Sequence, residues 1–363
     1  MAGDSFGDAQ VGLYADAGVE RQYRLHRQHH QQAPQDLHFQ PVQLQQHYGK
    51  ERQPQQPQQH QPQQHQHQPQ RRQQWQHDRP AQGGPQGGGG GKAEQGWGAG
   101  PRAQANGKAL SRPAINKELI RAAEIGDLRH LLETVEAYLP QMNVVNLSTS
   151  LYRLGKLGAS HPSTQAALCS DPVVRSVLEA LIRRLRGTSP NPTLPQAISN
   201  VAWSLASLRH MDAPLLELLA SQATSNMPSF KYYELSSLLW AFAKLGAGDI
   251  LPPSTAMLFE AAAETLRGNL PEVQFRSLAT IAWAFATAKI AHPLLFQDLS
   301  VEMCRKVRTA NSQEIANSAW AFGTASYKDS QLMQALGDAG VSRLEEYKPQ
   351  EISNTLWGFA TAG

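Results

Sequence analysis

The apolar pattern of residues 109–363 is helical and it repeats. Five phrases share one arrangement: AISNVAWSLASL (197–208), ELSSLLWAFAKL (234–245), SLATIAWAFATA (277–288), EIANSAWAFGTA (314–325) and EISNTLWGFATA (351–362). On a helix at about 100° per residue, with the tryptophan at zero, the fifth residue before it, the one before it and the second after it fall between about 200° and 260°. Those positions are Ile or Leu, Ala or Leu, and Leu or Phe, which makes one apolar stripe. The fourth before and third after, at about 320° and 300°, are Ser, Ala or Gly. Small residues there predict close approach of a neighbouring helix. No stretch alternates apolar and polar residues as a half-buried strand would, so the fold class is all-α.

Trp203, Trp240, Trp283, Trp320 and Trp357 are separated by 37, 43, 37 and 37 residues. A degenerate copy, NLSTSLYRLGKL (146–157), puts Tyr152 in the tryptophan's place, 51 residues before Trp203, so an insertion separates the first unit from the second. A second helical pattern fills the gaps: PVVRSVLEALIRRLR (172–186), then 213–227, 256–270, 292–308 and 330–347. Pro172, Pro214 and Pro293 suit the first turn of these helices. Pro228, Pro271 and Pro349 mark the turn before each tryptophan helix.

Each unit is thus a helix pair, A then B, with a period of about 37 residues. One pair cannot bury its apolar faces alone, whereas stacked pairs can. The pattern predicts an α-solenoid of roughly six units over 109–363. The last phrase ends one glycine from the final residue, so the repeat region is expected to end without a capping repeat, either truncated or capped by something outside this sequence.

Composition changes the picture for residues 1–108 only. They hold 28 Gln and 9 of the 13 His, with a glycine run at 87–91. Such a low-complexity segment carries too little apolar surface to offset the entropy of ordering, and disorder is expected. Charge is uneven as well. Eleven Lys and Arg face eight Asp and Glu in 1–108, whereas 109–363 holds 22 of each. The helical part is not a basic domain, so nucleic-acid binding would rest on local patches. The two cysteines, Cys169 and Cys304, form neither a disulfide framework nor a zinc pattern, which favours a reducing compartment. No apolar run approaches the roughly 18 residues that a membrane span needs. The first twenty residues contain Asp4, Asp8, Asp16 and Glu20 and no Arg, unlike an organellar transit peptide.

Candidate recognition residues lie on the side of the helix opposite the apolar stripe. Three before each tryptophan, at about 60°, are Asn200, Ser237, Thr280, Asn317 and Asn354. Seven before, at about 20°, are Gln196, Tyr233, Arg276, Gln313 and Gln350. Four after, at about 40°, are Ser207, Lys244, Thr287, Thr324 and Thr361. Two readings of this line stand side by side. In the first, Tyr152 and the five tryptophans form a structural repeat core, and the small polar residues satisfy a neighbour's backbone or an indole N–H. In the second, one polar side chain per unit reads one base, with Tyr233, Arg276 and Lys244 stacking on or contacting the nucleic acid.

Two basic clusters on A helices are candidate phosphate contacts: Arg183, Arg184 and Arg186, and Arg305, Lys306 and Arg308. The glycine runs lack the Lys-Ser/Thr and the strand-to-helix setting of a phosphate loop. HQHQPQ (65–70) is at most a weak metal binder. No HExxH, GxSxG or paired acidic motif occurs, and His130, His161, His210 and His292 are scattered, so neither enzymatic activity nor a cofactor is expected.

The phrases LSSLLWAFAKLG and EISNTLWGFATAG, on this period, resemble octotricopeptide repeats and the related repeats of FAST-kinase-like and RAP-domain proteins. MNVVNLSTSLYRLGKLG (142–158) resembles the opening unit of that superfamily, which includes kinetoplastid helical-repeat proteins of the RNA-editing accessory complex. The resemblance covers residues 109–363. It implies an α-solenoid that binds single-stranded organellar RNA, in a mitochondrion or plastid, and acts in RNA processing, stability, editing or translation. It also implies protein partners within an RNA-processing complex. No RAP module is visible, so its nuclease-like role is not carried over. The alternative is an armadillo-like protein-interaction scaffold with no direct RNA contact, in the cytoplasm or nucleus. Neither reading calls for a membrane or a small-molecule substrate.

Overall fold

The structure, a computed structural model, describes residues 110–187, 195–246 and 251–362. The Gln/His/Gly-rich segment 1–108, for which disorder is expected, lies outside the described residues. Among the described residues there are fourteen α-helices and no strand.

The chain opens with α1 (Arg112–Glu124), α2 (Leu128–Tyr138) and α3 (Val144–Gly158), the last carrying Tyr152. Next come α4 (Pro162–Ser170) and α5 (Pro172–Arg186). From there A and B helices alternate. The B helices are α6 (Pro195–Leu208), α8 (Tyr232–Gly246), α10 (Phe275–Ala288), α12 (Ser312–Thr324) and α14 (Pro349–Ala362). The A helices between them are α7 (Ala213–Ser225), α9 (Ser254–Arg267), α11 (Pro293–Lys306) and α13 (Ser330–Val341). Six A–B pairs follow a leading helix. The insertion behind the 51-residue gap is in part α4, a nine-residue helix that packs on α3, α5 and α6.

Two rows result. α1, α3, α6, α8, α10, α12 and α14 pack side by side in that order, each on the next. α5, α7, α9, α11 and α13 do the same in a second row behind them. The expected α-solenoid is present, and its core lies between the rows. Phe242, Phe285 and Phe322, two residues after their tryptophans, are fully buried there. Phe285 meets Phe259 of α9 at 5.0 Å between ring centroids, and Phe322 meets Phe296 of α11 at 5.1 Å, both edge to face.

Local chemistry sets the helix ends. Five A helices begin on a side-chain cap: Asp127, Asp171, Asp212, His292 and Asp329 each accept a backbone N–H of the first turn, whereas α9 follows Pro253 with no such cap. α5 spans the predicted 172–186, but the later A helices are shorter than the pattern predicts, because a 3-10 turn separates each of them from the following B helix. Pro228 and Pro271 sit inside such turns (Met227–Ser229 and Leu270–Glu272), whereas Pro349 opens α14 itself. Three B helices end on a left-handed residue: Arg209, Lys289 and Ser326, each six residues after its tryptophan, at φ 54°, 57° and 53°. There the following N–H reaches back five residues, as in His210 to Leu205, Ile290 to Phe285 and Tyr327 to Phe322. This is the Schellman closure that satisfies the last carbonyls.

Candidate functional site

Packing gives the helical wheel of each B helix a fixed orientation. The third residue after one tryptophan meets the first residue after the next. Gly155 (Tyr152 plus three) lies against Ser204 (Trp203 plus one), with ideal Cβ to Ser204 Cα at 3.4 Å. Gly323 (Trp320 plus three) lies against Gly358 (Trp357 plus one), with Cβ to Gly358 O at 3.1 Å. The next helix therefore sits near 300° and the previous helix near 100° on each wheel. The position after each tryptophan is Ser204, Ala241, Ala284, Ala321 or Gly358, a line of small residues as necessary as the one the apolar pattern singled out. With the A helices behind, near 200–260°, only the arc between about 0° and 60° is left to solvent.

The tryptophans occupy the margin of that arc. Trp203, Trp240, Trp283 and Trp320 are buried, whereas Trp357 is 36% exposed. Trp283, Trp320 and Trp357 form a ladder of rings, and Tyr152 and Trp203 form a pair. Tyr152 meets Trp203 at 5.0 Å, Trp283 meets Trp320 at 6.2 Å, and Trp320 meets Trp357 at 6.2 Å.

The candidate polar positions divide. In the line three before the tryptophan, Ser237, Thr280 and Asn317 are buried and Asn200 and Asn354 are half-buried. At 60° these side chains lean toward the previous helix. The Thr280 hydroxyl is spent on the Arg276 carbonyl of its own helix at 2.8 Å. The line seven before stays accessible: Gln196, Tyr233, Arg276 and Gln313 are half-buried and Gln350 is exposed. Lys244, Ser207, Thr287 and Thr324 are half-buried beside it, and Thr361 is exposed. Burial, then the Glu234 carboxylate to which its hydroxyl donates at 3.2 Å, pushes the Tyr233 phenol above its usual range.

One side chain four before its tryptophan does reach a neighbouring backbone. Ser199 Oγ donates to the Glu234 carbonyl at 2.8 Å, across from α6 to α8. The indole N–H groups of Trp203 and Trp283 are buried and hydrogen-bond to no protein atom, so the expected satisfaction of the indole by a small polar residue does not occur there.

A signal in the phrases went unread. Glu234, Glu314 and Glu351 stand six before their tryptophans and reach back to the backbone N–H of Lys231, Asn311 and Lys348 at 3.1, 3.2 and 3.0 Å. These are capping-box carboxylates, visible in sequence as Glu in the first helical turn before an apolar run. Burial pushes the Glu314 carboxyl up, opposed by the Asn311 N–H it accepts and by the Arg276 guanidinium on α10.

The basic clusters are unequal. Arg184 and Arg186 are exposed on α5, and exposed Arg183 stands 3.8 Å from exposed Glu179. Lys306 is committed inward. Its ammonium donates to the carbonyls of Leu270, Pro271 and Val273 at 3.2, 2.7 and 2.8 Å, and lies 3.4 Å from buried Glu302. Arg305 pairs with the same Glu302, and exposed Arg308 follows in a 3-10 turn. Lys306 therefore clamps the turn that enters α10. Lys306→Met should cost about 1–3 kcal/mol in urea unfolding, because it removes the donor of three charge-assisted hydrogen bonds and the cation beside buried Glu302, and should leave nucleic-acid affinity unchanged. A fall in affinity at unchanged stability would restore it as a phosphate contact.

Among the described residues one cluster has metal-ligand composition: Glu260 and Glu264 of α9 with His292. His292 Nδ1 accepts the Leu295 N–H at 3.1 Å, so the ring proton is on Nε2, the nitrogen 4.0 Å from Glu260. Nε2 then has no lone pair to offer a cation, and the imidazole serves as a helix cap. Burial pushes the thiols of Cys169 and Cys304 up, away from the thiolate a nucleophile needs.

Fold and site together define a class, an α-solenoid of tryptophan-centred helix pairs with a polar line along the open edge of one row. No protein-family model and no curated protein matches the chain.

Proposed function

We propose that this chain binds single-stranded RNA along the open edge of its B-helix row and acts in organellar RNA processing, stability, editing or translation. One observation carries the reading. Gln196, Tyr233, Arg276, Gln313 and Gln350 present one side chain per unit, at the same register, on five helices packed in sequence. Such a line suits base-by-base reading by helical repeats. The likeness of the tryptophan phrases to octotricopeptide and FAST-kinase-like repeats supports the same ligand and a mitochondrial or plastid setting. Burial of Ser237, Thr280 and Asn317 shifts the reading line from three to seven before the tryptophan.

The test is fluorescence anisotropy with a labelled random-sequence single-stranded RNA. Gln313→Ala combined with Gln350→Ala should weaken binding about thirtyfold, the loss of two hydrogen bonds of about 1 kcal/mol each, with the melting curve unchanged. With balanced charge over 109–363, the salt dependence should be shallow. Wild-type affinity in the double variant, or no binding by the wild-type chain, would refute base reading here.

A second reading, a protein-interaction scaffold, rests on that charge balance and on the diversion of Lys306 and Arg305 to Glu302. It is the reading left if the RNA titration is flat at low salt.

A further inference from the structure

Residues 109–363 carry 22 Lys and Arg and 22 Asp and Glu, but the two long edges of the B-helix row do not share them alike. Trp320 lies by Gly358 and Gly323 by Thr361, so these consecutive B helices run parallel, and Gly155 meets Ser204 at the same register. The C-terminal ends of the B helices therefore share one edge. Four exposed cations stand along it: Lys156 at the end of α3, Arg209 after α6, Lys289 after α10 and Lys328 after α12. Among the described residues none of the four is in an ion pair. The carboxylates described in the same B-to-A connections, those of Asp171, Asp212 and Asp329, are all spent as helix caps. The opposite edge is mixed, with Lys231, Arg308 and Lys348 exposed beside exposed Glu272, Glu345 and Glu346.

Backbone conformation singles out two of the four. Arg209 and Lys289 hold φ of 54° and 57° at the Schellman position, where glycine is the usual residue. An L side chain is strained there, and strain retained in a folded protein points to a role for the side chain. The width of the open strip points the same way. Arg276 of the accessible polar line and Lys289 are 13 residues apart, about 20 Å along the axis at a rise of about 1.5 Å per residue. One nucleotide bridges such a strip when a side chain reaches it from each side.

We propose that this cationic edge holds the phosphates of a single-stranded RNA whose bases face the line of Gln196, Tyr233, Arg276, Gln313 and Gln350. The inference rests on the RNA reading above and gives it an orientation. The backbone runs along the C-terminal ends of the B helices, and the base edges point toward their first turns. The cations position the strand and the polar line specifies it.

Two labelled probes titrated with the full chain test this. One is the random-sequence single-stranded RNA. The other is an abasic deoxyribose-phosphate oligomer of equal length, which offers phosphates and no bases. Both should bind at low salt. Four phosphate contacts at about 0.7 each give a log–log salt slope of about −3. Arg209→Gly combined with Lys289→Gly should halve that slope for both probes. At about 0.1 M salt it should weaken both about 25-fold, since each lost contact removes about 0.7 of a decade there. Its melting temperature should hold or rise, because glycine relieves the left-handed strain. Lys156→Gln combined with Lys328→Gln, away from the strained positions, should change slope and affinity by as much. Gln313→Ala with Gln350→Ala should weaken the RNA alone, so failure of base reading and failure of the backbone track are seen separately. Wild-type affinity and slope in the glycine variant overturn the track, as does a wild-type chain that does not bind the abasic oligomer. If the glycine variant melts lower, the Lys156 and Lys328 pair decides. An unchanged slope there reduces the cations to charges that complement helix C-termini and overturns the proposal.

Discussion

Replacing Trp320 by alanine should lower the unfolding free energy by about 3–5 kcal/mol, the range for truncating a buried large aromatic side chain. Trp320 is the middle ring of the ladder, 6.2 Å from Trp283 on one side and 6.2 Å from Trp357 on the other. Its removal opens a void between α10, α12 and α14. Two ring contacts vanish with it, each of which adds about 0.5–1.5 kcal/mol beyond area burial. Because each unit of a solenoid touches only its neighbours, the damage stays local. Amide exchange in α10, α12 and α14 should accelerate, while α3 keeps its protection. Trp357→Ala should cost clearly less, since that ring is 36% exposed. Equal costs for the two substitutions, or a loss spread evenly along the chain, would contradict the ladder as the element that ties units together.

The second large effect comes from the smallest residue. A Cβ added at Gly358 would lie 2.4 Å from the carbonyl carbon and oxygen of Ala319 and 2.8 Å from the Trp320 nitrogen. Those atoms are backbone and cannot rotate away. Helix propensity alone favours alanine over glycine by about 1 kcal/mol, so a substitution judged on α14 in isolation would be stabilising. In the assembled row α12 and α14 must part, and overpacking of this kind costs about 1–3 kcal/mol. Gly358→Ala should therefore lower the urea midpoint and release α14 first, seen as faster exchange or proteolysis within 349–362. Gly268→Ala is the control. Nothing lies within 4 Å of a Cβ there, and stability should hold or rise. A neutral Gly358→Ala would show that the two helices can separate at no cost.

Much of this architecture is legible in the phrases themselves. The tryptophan period, the apolar stripe and the prolines are enough to predict paired helices that stack. The small residues three after the tryptophan also read correctly, as Gly323 against Gly358 shows. What the wheel could not disclose is where the neighbours stand. On the wheel alone Asn317 and Asn354 look alike; in the described row α12 has a helix on both sides and Asn317 is buried, whereas α14 packs on α12 alone and Asn354 is half-buried. The line one after the tryptophan is equally plain in the letters, but its meaning depends on the same neighbour. Lys306 shows the limit from the other side. In a basic run it reads as a free cation, and only the fold brings the Leu270–Val273 carbonyls to it. The short helix α4 had no counterpart in the repeat and so no template to betray it.

The interval between Trp240 and Trp283 is six residues longer than the others, yet α8 and α10 lie side by side like every other pair in the row. The ruler along the open edge is therefore the thickness of a helix, not the count of residues between copies. Lengthening a connection leaves the spacing of Tyr233 and Arg276 where side-by-side packing puts it. Evolution is free to vary the links while the pitch of the edge stays constant.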